Sequence, residues 1–256
     1  MKIQGKIAIV TGGASGLGLA VAQYLIKEKG AKVALLDLNV DSGNAAVMEF
    51  GGENALFCNT DVADERSVAE AITCVVDTFG KIDIVINAAA TPYSFKILDR
   101  DGRASGFDKF TSVIRTNLIG TFNVMGQCIE KMVANNPENG ERGVIINTSS
   151  ISAFEGQIGT SAYSASKAGI NGMNMPAARE LGGVGIRVNS IAPGLFNTPM
   201  SSQLNQEVKQ ALLNICEAPK RMGNPDEYAH ACAFIIENSY MNGRVLRLDA
   251  ASIMCA

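Results

Sequence analysis

The chain has no tryptophan and one histidine among its 256 residues. That histidine, His230, lies in the apolar pattern DEYAHACAFII, which predicts a residue packed on a helix rather than a catalyst. Because there is no second histidine, an imidazole-centred hydrolase triad cannot be assembled elsewhere in the chain. The sequence therefore disfavours histidine-dependent hydrolases.

Patterns for metal ligation and disulfide bonding are also lacking. The cysteines form no C-x-x-C pair and have no accompanying histidine cluster, so we expect no metal site. We expect reduced and mostly buried thiols, which are typical of a cytoplasmic protein. The six positions are Cys58, Cys74, Cys128, Cys216, Cys232 and Cys255.

Charge and hydropathy disfavour two classes of partner. A net charge of −3 and a pI near 5.3 give no broad attraction to nucleic acid or to anionic membranes. No apolar run approaches the roughly 18 residues of a membrane span. A glycine-rich turn that begins at Gly12 comes too early for a signal or transit peptide, so we expect none.

Length and composition predict one globular α/β domain over residues 1–256. A hydrophobic content of 47% is enough for a large core, and no shift in composition marks a linker. Apolar runs alternate with helical patterns, which predicts a doubly wound parallel sheet, a Rossmann fold. Among the expected elements are a helix over Glu65–Phe79, strands over Ile82–Ile86 and Gly143–Thr148, and one helix from Phe107 to Met132.

A strand, a glycine turn and a helix follow one another near the N-terminus. The apolar run up to Val10 leads into TGGASGLG and then a helical pattern. Glycines let the backbone approach a pyrophosphate, and the helix N-terminus offers free N–H groups, so this order predicts a dinucleotide site. The cofactor-binding residues expected here are Gly12, Ser15, Gly16, Leu17 and Gly18.

An acidic residue at the end of the second strand favours NAD over NADP. Asp37 would accept hydrogen bonds from the adenosine ribose and repel a 2′-phosphate. The next two residues, Leu38 and Asn39, offer no arginine to bind such a phosphate. Residues at the ends of the next strands are expected to lie near the same cofactor. These residues are Asp61, Val62, Asn87 and Ala88.

The stretch around Tyr163 carries the expected chemistry. A spacing of four places Tyr163 and Lys167 on one face of a helix, where a positive charge lowers the phenol's pKa and makes it a usable acid and base. Ser150 follows an apolar strand, so its hydroxyl would lie at the sheet edge where such folds bind ligands. Two irregular segments, a loop over residues 91–106 and a lid over residues 195–219, are expected to border the substrate.

Together these motifs resemble the short-chain dehydrogenase/reductase family over nearly the whole chain. The likeness is carried by TGGASGLG, Asp37, DV at 61–62, NAA at 87–89, NLIG at 117–120, Ser150, YSASK and PG at 193–194. The resemblance implies a catalytic tetrad of Asn117, Ser150, Tyr163 and Lys167. Asn117 would position a water, Ser150 and Tyr163 would bind the substrate oxygen, and Lys167 would also bind the nicotinamide ribose.

The resemblance further implies cofactor contacts beyond the sixth strand, at Pro193, Gly194, Phe196 and Thr198. Two alanines depart from the family pattern, which usually has glycine at both positions. At Ala89 we expect a small geometric cost, and at Ala250 an effect on the local turn rather than on the chemistry. The family also implies a homotetramer, and a run of small residues after Lys167 is compatible with a subunit contact.

Within the family, the stretches GVIINTSS, AFEGQ, AYSASK, IRVNSIAPGLFNTPM and NPDEYAH resemble enzymes acting on 3-hydroxyacyl-CoA. Cations at Lys96, Arg100 and Arg103 would meet the CoA phosphates. The acyl pocket is expected to be lined by Phe154, Gln157, Phe196 and Leu204. Alternatives are a steroid or other secondary alcohol dehydrogenase with the same tetrad, and an NAD-binding scaffold subunit without turnover. A carrier-protein-linked reductase is disfavoured because Asp37 disfavours NADP.

Overall fold

Parallel strands form the centre of the protein, whose computed structural model describes residues 1–254. Cys255, expected to be a reduced thiol, lies outside the described residues. The strands are β1 (Ile7–Thr11), β2 (Lys32–Asp37), β3 (Ala55–Asn59), β4 (Ile84–Asn87), β5 (Gly143–Thr148), β6 (Ile186–Pro193) and β7 (Val245–Leu248). They pair in the order β3-β2-β1-β4-β5-β6-β7, and every pairing is parallel.

Helices cover both faces of this sheet. They are α1 (Gly16–Lys27), α2 (Val40–Phe50), α3 (Glu65–Phe79), α4 (Phe107–Ile114), α5 (Gly120–Met132), α6 (Ser161–Gly182), α7 (Pro199–Ser202), α8 (Gln206–Asn214) and α9 (Pro225–Glu237). Because successive strand side chains point to opposite faces, Val10 packs in one core cluster and Ile9 in the other. The predicted doubly wound fold is confirmed.

Two predicted element boundaries were wrong. β4 begins at Ile84 rather than Ile82. The helix expected from Phe107 to Met132 is divided by a π-helical turn over Arg115–Ile119. Apolar periodicity does not reveal such a turn, since it depends on the tertiary bonds of one side chain, Asn117.

Packing of the lone histidine and of the cysteines follows the expectations. His230 lies on the exposed side of α9, and its ring meets Tyr24 of α1 edge to face at 6.4 Å between centroids. Four of the described cysteines are buried and Cys74 is exposed, and all of these are free thiols. Across residues 1–254, every helix is too short or too polar to cross a membrane.

Candidate active site

Glycines after β1 form a cradle that has no room for side chains. The backbone of Gly12 has φ +62°, and a Cβ there would lie 2.9 Å from the Ala89 nitrogen. A Cβ on Gly18 would lie 2.2 Å from the Gly12 carbonyl oxygen. Ser15 precedes α1 in extended conformation, so the first-turn N–H groups of this helix face the cradle. The cradle fits the pyrophosphate of a dinucleotide.

Asp37 is held next to this cradle. Its Oδ2 accepts a 3.0 Å hydrogen bond from the Ala14 N–H, and its Oδ1 accepts one of 3.0 Å from the Asn39 N–H. These bonds fix the carboxylate at the end of β2, beside the glycine turn. The fixed negative charge lies where the sequence places the adenosine ribose.

The two residues expected near the adenine, Asp61 and Val62, follow the end of β3. Val62 is buried against α5, where a Cβ on Gly120 would lie 2.7 Å from its Cγ2. Asp61 is exposed, and its Oδ1 accepts a hydrogen bond from the Ala63 N–H. Both residues therefore border the predicted cofactor groove, with only Asp61 open to solvent.

A buried amide pair lies below the predicted nicotinamide position. Asn87 Nδ2 donates 2.9 Å to Asn147 Oδ1 across the paired strands β4 and β5. Thr11 Oγ1 accepts hydrogen bonds of 3.1 Å from the N–H groups of Ala88 and Ala89. The side chain of Asn87 thus bonds within the sheet, and Thr11 fixes the chain that follows it. Sequence reasoning gave no role to Thr11 or Asn147, although Thr11 ends β1 and Asn147 is the second-last residue of β5.

Ser150 and Tyr163 meet as predicted from their positions. Ser150 caps a short 3₁₀ turn over Ile151–Ala153, and its Oγ accepts 3.1 Å from the Ser152 N–H. The Ser150 hydroxyl also hydrogen bonds to the Tyr163 phenol, which projects from the first turn of α6. A serine hydroxyl and a phenol at the end of β5 can together hold one substrate oxygen.

Lys167 lies one turn further along α6 and is buried. Its Nζ donates 2.7 Å to the carbonyl oxygen of Thr148 and lies 5.6 Å from the centroid of the Tyr163 ring. Burial lowers the pKa of the Lys167 ammonium to about 7. The group can therefore gain or lose a proton near neutral pH.

The predicted lowering of the Tyr163 pKa by Lys167 was wrong for this arrangement. The pKa of Tyr163 is raised, because burial disfavours the phenolate, and the Ser150 hydrogen bond only partly opposes this effect. Lys167 directs its proton donor to Thr148 rather than to the phenol oxygen. The spacing of four residues predicted that Tyr163 and Lys167 lie close together. It did not predict that burial outweighs charge in setting the pKa of Tyr163.

Asn117 is buried in the π-helical turn and has three hydrogen bonds. Its Oδ1 accepts a hydrogen bond of 2.8 Å from the Thr91 N–H. Its Nδ2 donates hydrogen bonds of 3.2 Å to the Thr91 carbonyl and of 3.1 Å to Ser166 Oγ. Ser166 Oγ in turn donates to the Tyr163 carbonyl. The side chain of Asn117 therefore ties the 91–106 loop to α6, while its backbone carbonyl accepts 2.7 Å from Thr121 Oγ1.

Residues after β6 separate into two groups. Gly194 lies against the C-terminal turn, since a Cβ there would be 2.9 Å from the Asp249 Cα. Pro193 ends β6, and Thr198 caps α7 beside Gly16. The ring of Phe196, however, is buried edge to face against Tyr228 at 6.2 Å. The expectation that Phe196 lines an acyl pocket was wrong, because its side chain fills the core under Gly223.

Other predicted substrate residues lie on the surface around Ser150. Phe154 is half exposed, and Leu204 is exposed on the segment after α7. The carbonyl of Gln157 accepts 2.7 Å from Thr160 Oγ1. The 91–106 loop contacts this region, where Phe95 N–H donates 2.9 Å to the Gly159 carbonyl. Its three cations are exposed, at Lys96, Arg100 and Arg103.

The turn at Ala250 has a strained backbone. Ala250 and Ala251 have φ values of +53° and +58°, in the left-handed region that disfavours a side chain. A neighbouring residue, Arg247, bonds to Glu155 across this region and was not singled out by sequence reasoning. Among residues 1–254, no group of three or more histidine, cysteine, aspartate or glutamate side chains could hold a metal ion.

Comparison with known proteins agrees with this geometry. Residues 6–209 match the family model for short chain dehydrogenase. The chain is 45% identical over 251 residues to 3-hydroxyacyl-CoA dehydrogenase type-2 of Bos taurus, covering 97% of this chain and 95% of that protein. The Drosophila melanogaster protein of the same name is also 45% identical, with coverages of 97% and 98%. The crystal structure of 3-hydroxyacyl-CoA dehydrogenase type-2 from Mycobacterium avium superposes with a TM-score of 0.92, at 40% identity and coverages of 98% and 97%.

Proposed function

Because the chain belongs to the short chain dehydrogenase family and is an oxidoreductase, we propose that it interconverts 3-hydroxyacyl-CoA and 3-ketoacyl-CoA with NAD. The observation that carries the proposal is the meeting of Ser150, Tyr163 and Lys167 at the end of β5, opposite the glycine cradle. Relatives that share nearly the full length of the chain have the same named activity. The family uses a nicotinamide cofactor, and its choice between NAD and NADP is the finer part of the proposal.

Asp37 supports NAD. Its carboxylate is fixed by the Ala14 and Asn39 N–H groups, so it cannot turn away from a ribose 2′-phosphate without breaking both bonds. A phosphate there would face an anion, whereas ribose hydroxyls would find a hydrogen-bond acceptor. Gly12, Gly16 and Gly18 would hold the pyrophosphate, and Lys167 the nicotinamide ribose.

The proposed chemistry divides the proton work among three side chains. When bound, the nicotinamide supplies or accepts the hydride at its C4 atom. Ser150 Oγ holds the substrate oxygen, and Tyr163 exchanges the proton with that oxygen. Lys167, with a pKa near 7, would restore the phenol by giving up or taking up a proton once its Nζ turns from the Thr148 carbonyl. The polar groups of the site are thus matched to a secondary alcohol and its ketone.

The substrate would lie between the 91–106 loop and the 195–219 lid. The loop offers exposed cations at Lys96, Arg100 and Arg103 for CoA phosphates, and Phe154 and Leu204 offer apolar surface. Gln157, whose carbonyl accepts a hydrogen bond from Thr160 Oγ1, would also contact the substrate. Exposed charges of this kind act mainly through binding, so their effect should appear in KM.

We also propose a homotetramer and a cytoplasmic location. Phe107 of α4 and Phe122 of α5 are 81% and 58% exposed, and a subunit contact over them would remove both rings from water. Small residues at Ala165, Ala168 and Gly172 leave the adjoining face of α6 flat. The free thiols of the described cysteines suit a reducing compartment.

The test is NADH oxidation with acetoacetyl-CoA, compared with a panel of steroids and simple ketones. We expect turnover of acetoacetyl-CoA, with NADPH much less effective. Preference for a steroid or a simple ketone would favour a steroid or other secondary alcohol dehydrogenase. The absence of NADH oxidation with every substrate of the panel would favour a scaffold subunit.

A charge variant makes this test specific for CoA. We expect Arg100→Ala combined with Arg103→Ala to raise KM for acetoacetyl-CoA about tenfold and to leave KM for a simple ketone unchanged. Lys109→Ala, an exposed lysine of α4, is the matched control. An equal rise for both substrates would contradict the assignment of this loop to the CoA phosphates.

A further inference from the structure

The guanidinium of Arg247 connects three separate segments near the candidate active site. Its Nη1 and Nη2 donate 2.6 Å and 3.1 Å to the two carboxylate oxygens of Glu155. Its Nε donates 2.7 Å to Asp249 Oδ2, and Nη2 also donates 2.8 Å to the Ser252 carbonyl. The guanidinium carbon stands 5.1 Å from the centroid of the Phe154 ring. Nearly every donor of one arginine is used, in a region that is only partly exposed to solvent.

On one side, this network reaches the turn that carries Ser150. The Glu155 N–H donates 3.1 Å to the Ile151 carbonyl, and the Phe154 N–H donates 2.9 Å to the same atom. Ala153 N–H donates 3.0 Å to the Ser150 carbonyl. Phe154 and Glu155 both close the turn that begins at Ser150. A displacement of Glu155 would therefore displace this turn and, with it, the Ser150 hydroxyl.

On the other side, the network reaches the end of the lid through a strained turn. The carbonyl of Ala250 accepts 2.9 Å from the Glu217 N–H, and Ser252 Oγ donates 3.4 Å to Cys216 Sγ. Ala250 and Ala251 both have positive φ. Non-glycine residues keep such a conformation only where surrounding bonds impose it, and Arg247 supplies bonds at both ends of this turn, to Asp249 and Ser252.

We infer that Arg247 is a positioning residue that locks the Ser150 turn to the C-terminal end of the substrate lid. The inference rests on the proposed dehydrogenase function for its kinetic part, and on the structure alone for its mechanical part. Lysine cannot replace the arginine fully, because a single ammonium cannot span both Glu155 oxygens and the Ser252 carbonyl. The geometry therefore assigns a specific role to the guanidinium fork and not merely to its charge.

The kinetic test compares Arg247→Ala with the natural protein. Misplacement of the Ser150 hydroxyl should lower kcat/KM for acetoacetyl-CoA about 10- to 100-fold, with the Kd for NADH unchanged. Since the Ser150 hydrogen bond lowers the pKa of Tyr163, its release should also move the ascending, acid-side limb of the pH profile for alcohol oxidation to higher pH, because Tyr163 must be deprotonated to act as the base. Lys29→Ala, which removes a comparably two-pronged ion pair between the turn after α1 and Glu237 at the end of α9, should change neither value.

The mechanical test does not depend on turnover. Lys209 lies in α8, close in sequence to Cys216 and Glu217, and tryptic cleavage after it requires the lid helix to open. We expect cleavage after Lys209 to be about tenfold faster in Arg247→Ala than in Lys29→Ala. If the natural protein reduced no ketone, the proposed function would fail, while the cleavage rates would still decide whether Arg247 holds the lid.

Milder variants keep the test decisive if Arg247→Ala does not fold. Arg247→Lys and Glu155→Gln retain size and should give intermediate cleavage rates and intermediate losses of kcat/KM. Unchanged cleavage, unchanged kcat/KM and an unmoved pH profile in these variants would overturn the inference. A loss of stability with a normal pH profile would also overturn it, since that result describes a merely structural ion pair.

Discussion

The ammonium of Lys167 donates its 2.7 Å hydrogen bond to the carbonyl oxygen of Thr148, at the end of β5. The strand that delivers Ser150 therefore also holds the lysine. This contact places the amine beside the Tyr163 ring but leaves it desolvated, which lowers the pKa of Lys167 to about 7. Proximity of lysine and tyrosine is thus achieved at a cost in stability.

That cost gives a pH-dependent prediction for Lys167→Met. In the folded protein the lysine titrates near pH 7, and in the unfolded chain near its ordinary value of 10.5. Between these pH values the unfolded state binds more protons, so the stability of the natural protein rises with pH. The variant should therefore melt about 5 °C higher at pH 6.5, with the difference shrinking toward pH 10, in thermal denaturation without cofactor. A difference that does not vary with pH would contradict the burial argument.

Asn117→Ala should destabilise the fold and loosen the 91–106 loop. The variant leaves the Thr91 N–H and carbonyl without their Asn117 partner and removes the donor to Ser166 Oγ, which keeps its bond to the Tyr163 carbonyl. We expect the free energy of unfolding to fall by about 2 to 4 kcal/mol in urea, with faster hydrogen exchange at Thr91. Asn214→Ala, at an exposed helix end, is the control. Retention of full exchange protection at Thr91 would show that the loop is held by other contacts.

Gly18→Ala should prevent dinucleotide binding. Its Cβ would lie 2.2 Å from the Gly12 carbonyl oxygen, so the cradle must open. We expect the Kd for NADH to rise at least about 100-fold, measured by fluorescence titration. Gly52→Ala adds a methyl where nothing lies within 4 Å and should leave Kd unchanged. Equal affinities for the two variants would mean that the pyrophosphate binds elsewhere.

Ala250→Gly should stabilise the protein, because glycine removes the steric cost of a positive φ. We expect a gain of about 1 kcal/mol in the free energy of unfolding. Ala69→Gly, at an exposed position of α3, should instead lose about 0.5 to 1 kcal/mol, since glycine is more flexible in the unfolded chain. If both changes destabilise the protein alike, the turn is not strained.

Alternating apolar runs and helical patterns were enough to predict the sheet. The β5 strand and α3 helix have the bounds expected from the sequence, since polar or glycine residues end both elements. The glycine cradle and the meeting of Ser150 with Tyr163 follow from local order along the chain. Each of these features depends on contacts between residues near in sequence or at adjacent strand ends.

Features that depend on distant contacts were missed. The π-helical turn forms where Asn117 bonds to Thr91, which is 26 residues away. Phe196 follows a proline-glycine pair typical of a binding loop, yet its ring turns inward because Tyr228 of α9 offers an apolar partner. Arg247 bonds to Glu155, which is 92 residues away. No local periodicity encodes such partners.

Tyr163→Phe tests the central claim most directly. Loss of the phenol oxygen removes the proton exchange but leaves the ring and the cofactor cradle intact. NADH oxidation with acetoacetyl-CoA should fall about 100- to 10,000-fold, with the Kd for NADH changed less than about twofold. Tyr240→Phe, at a fully exposed tyrosine, should behave as the natural protein. Retained turnover in Tyr163→Phe, with Tyr240→Phe equally active, would contradict the assignment of the Ser150–Tyr163–Lys167 site.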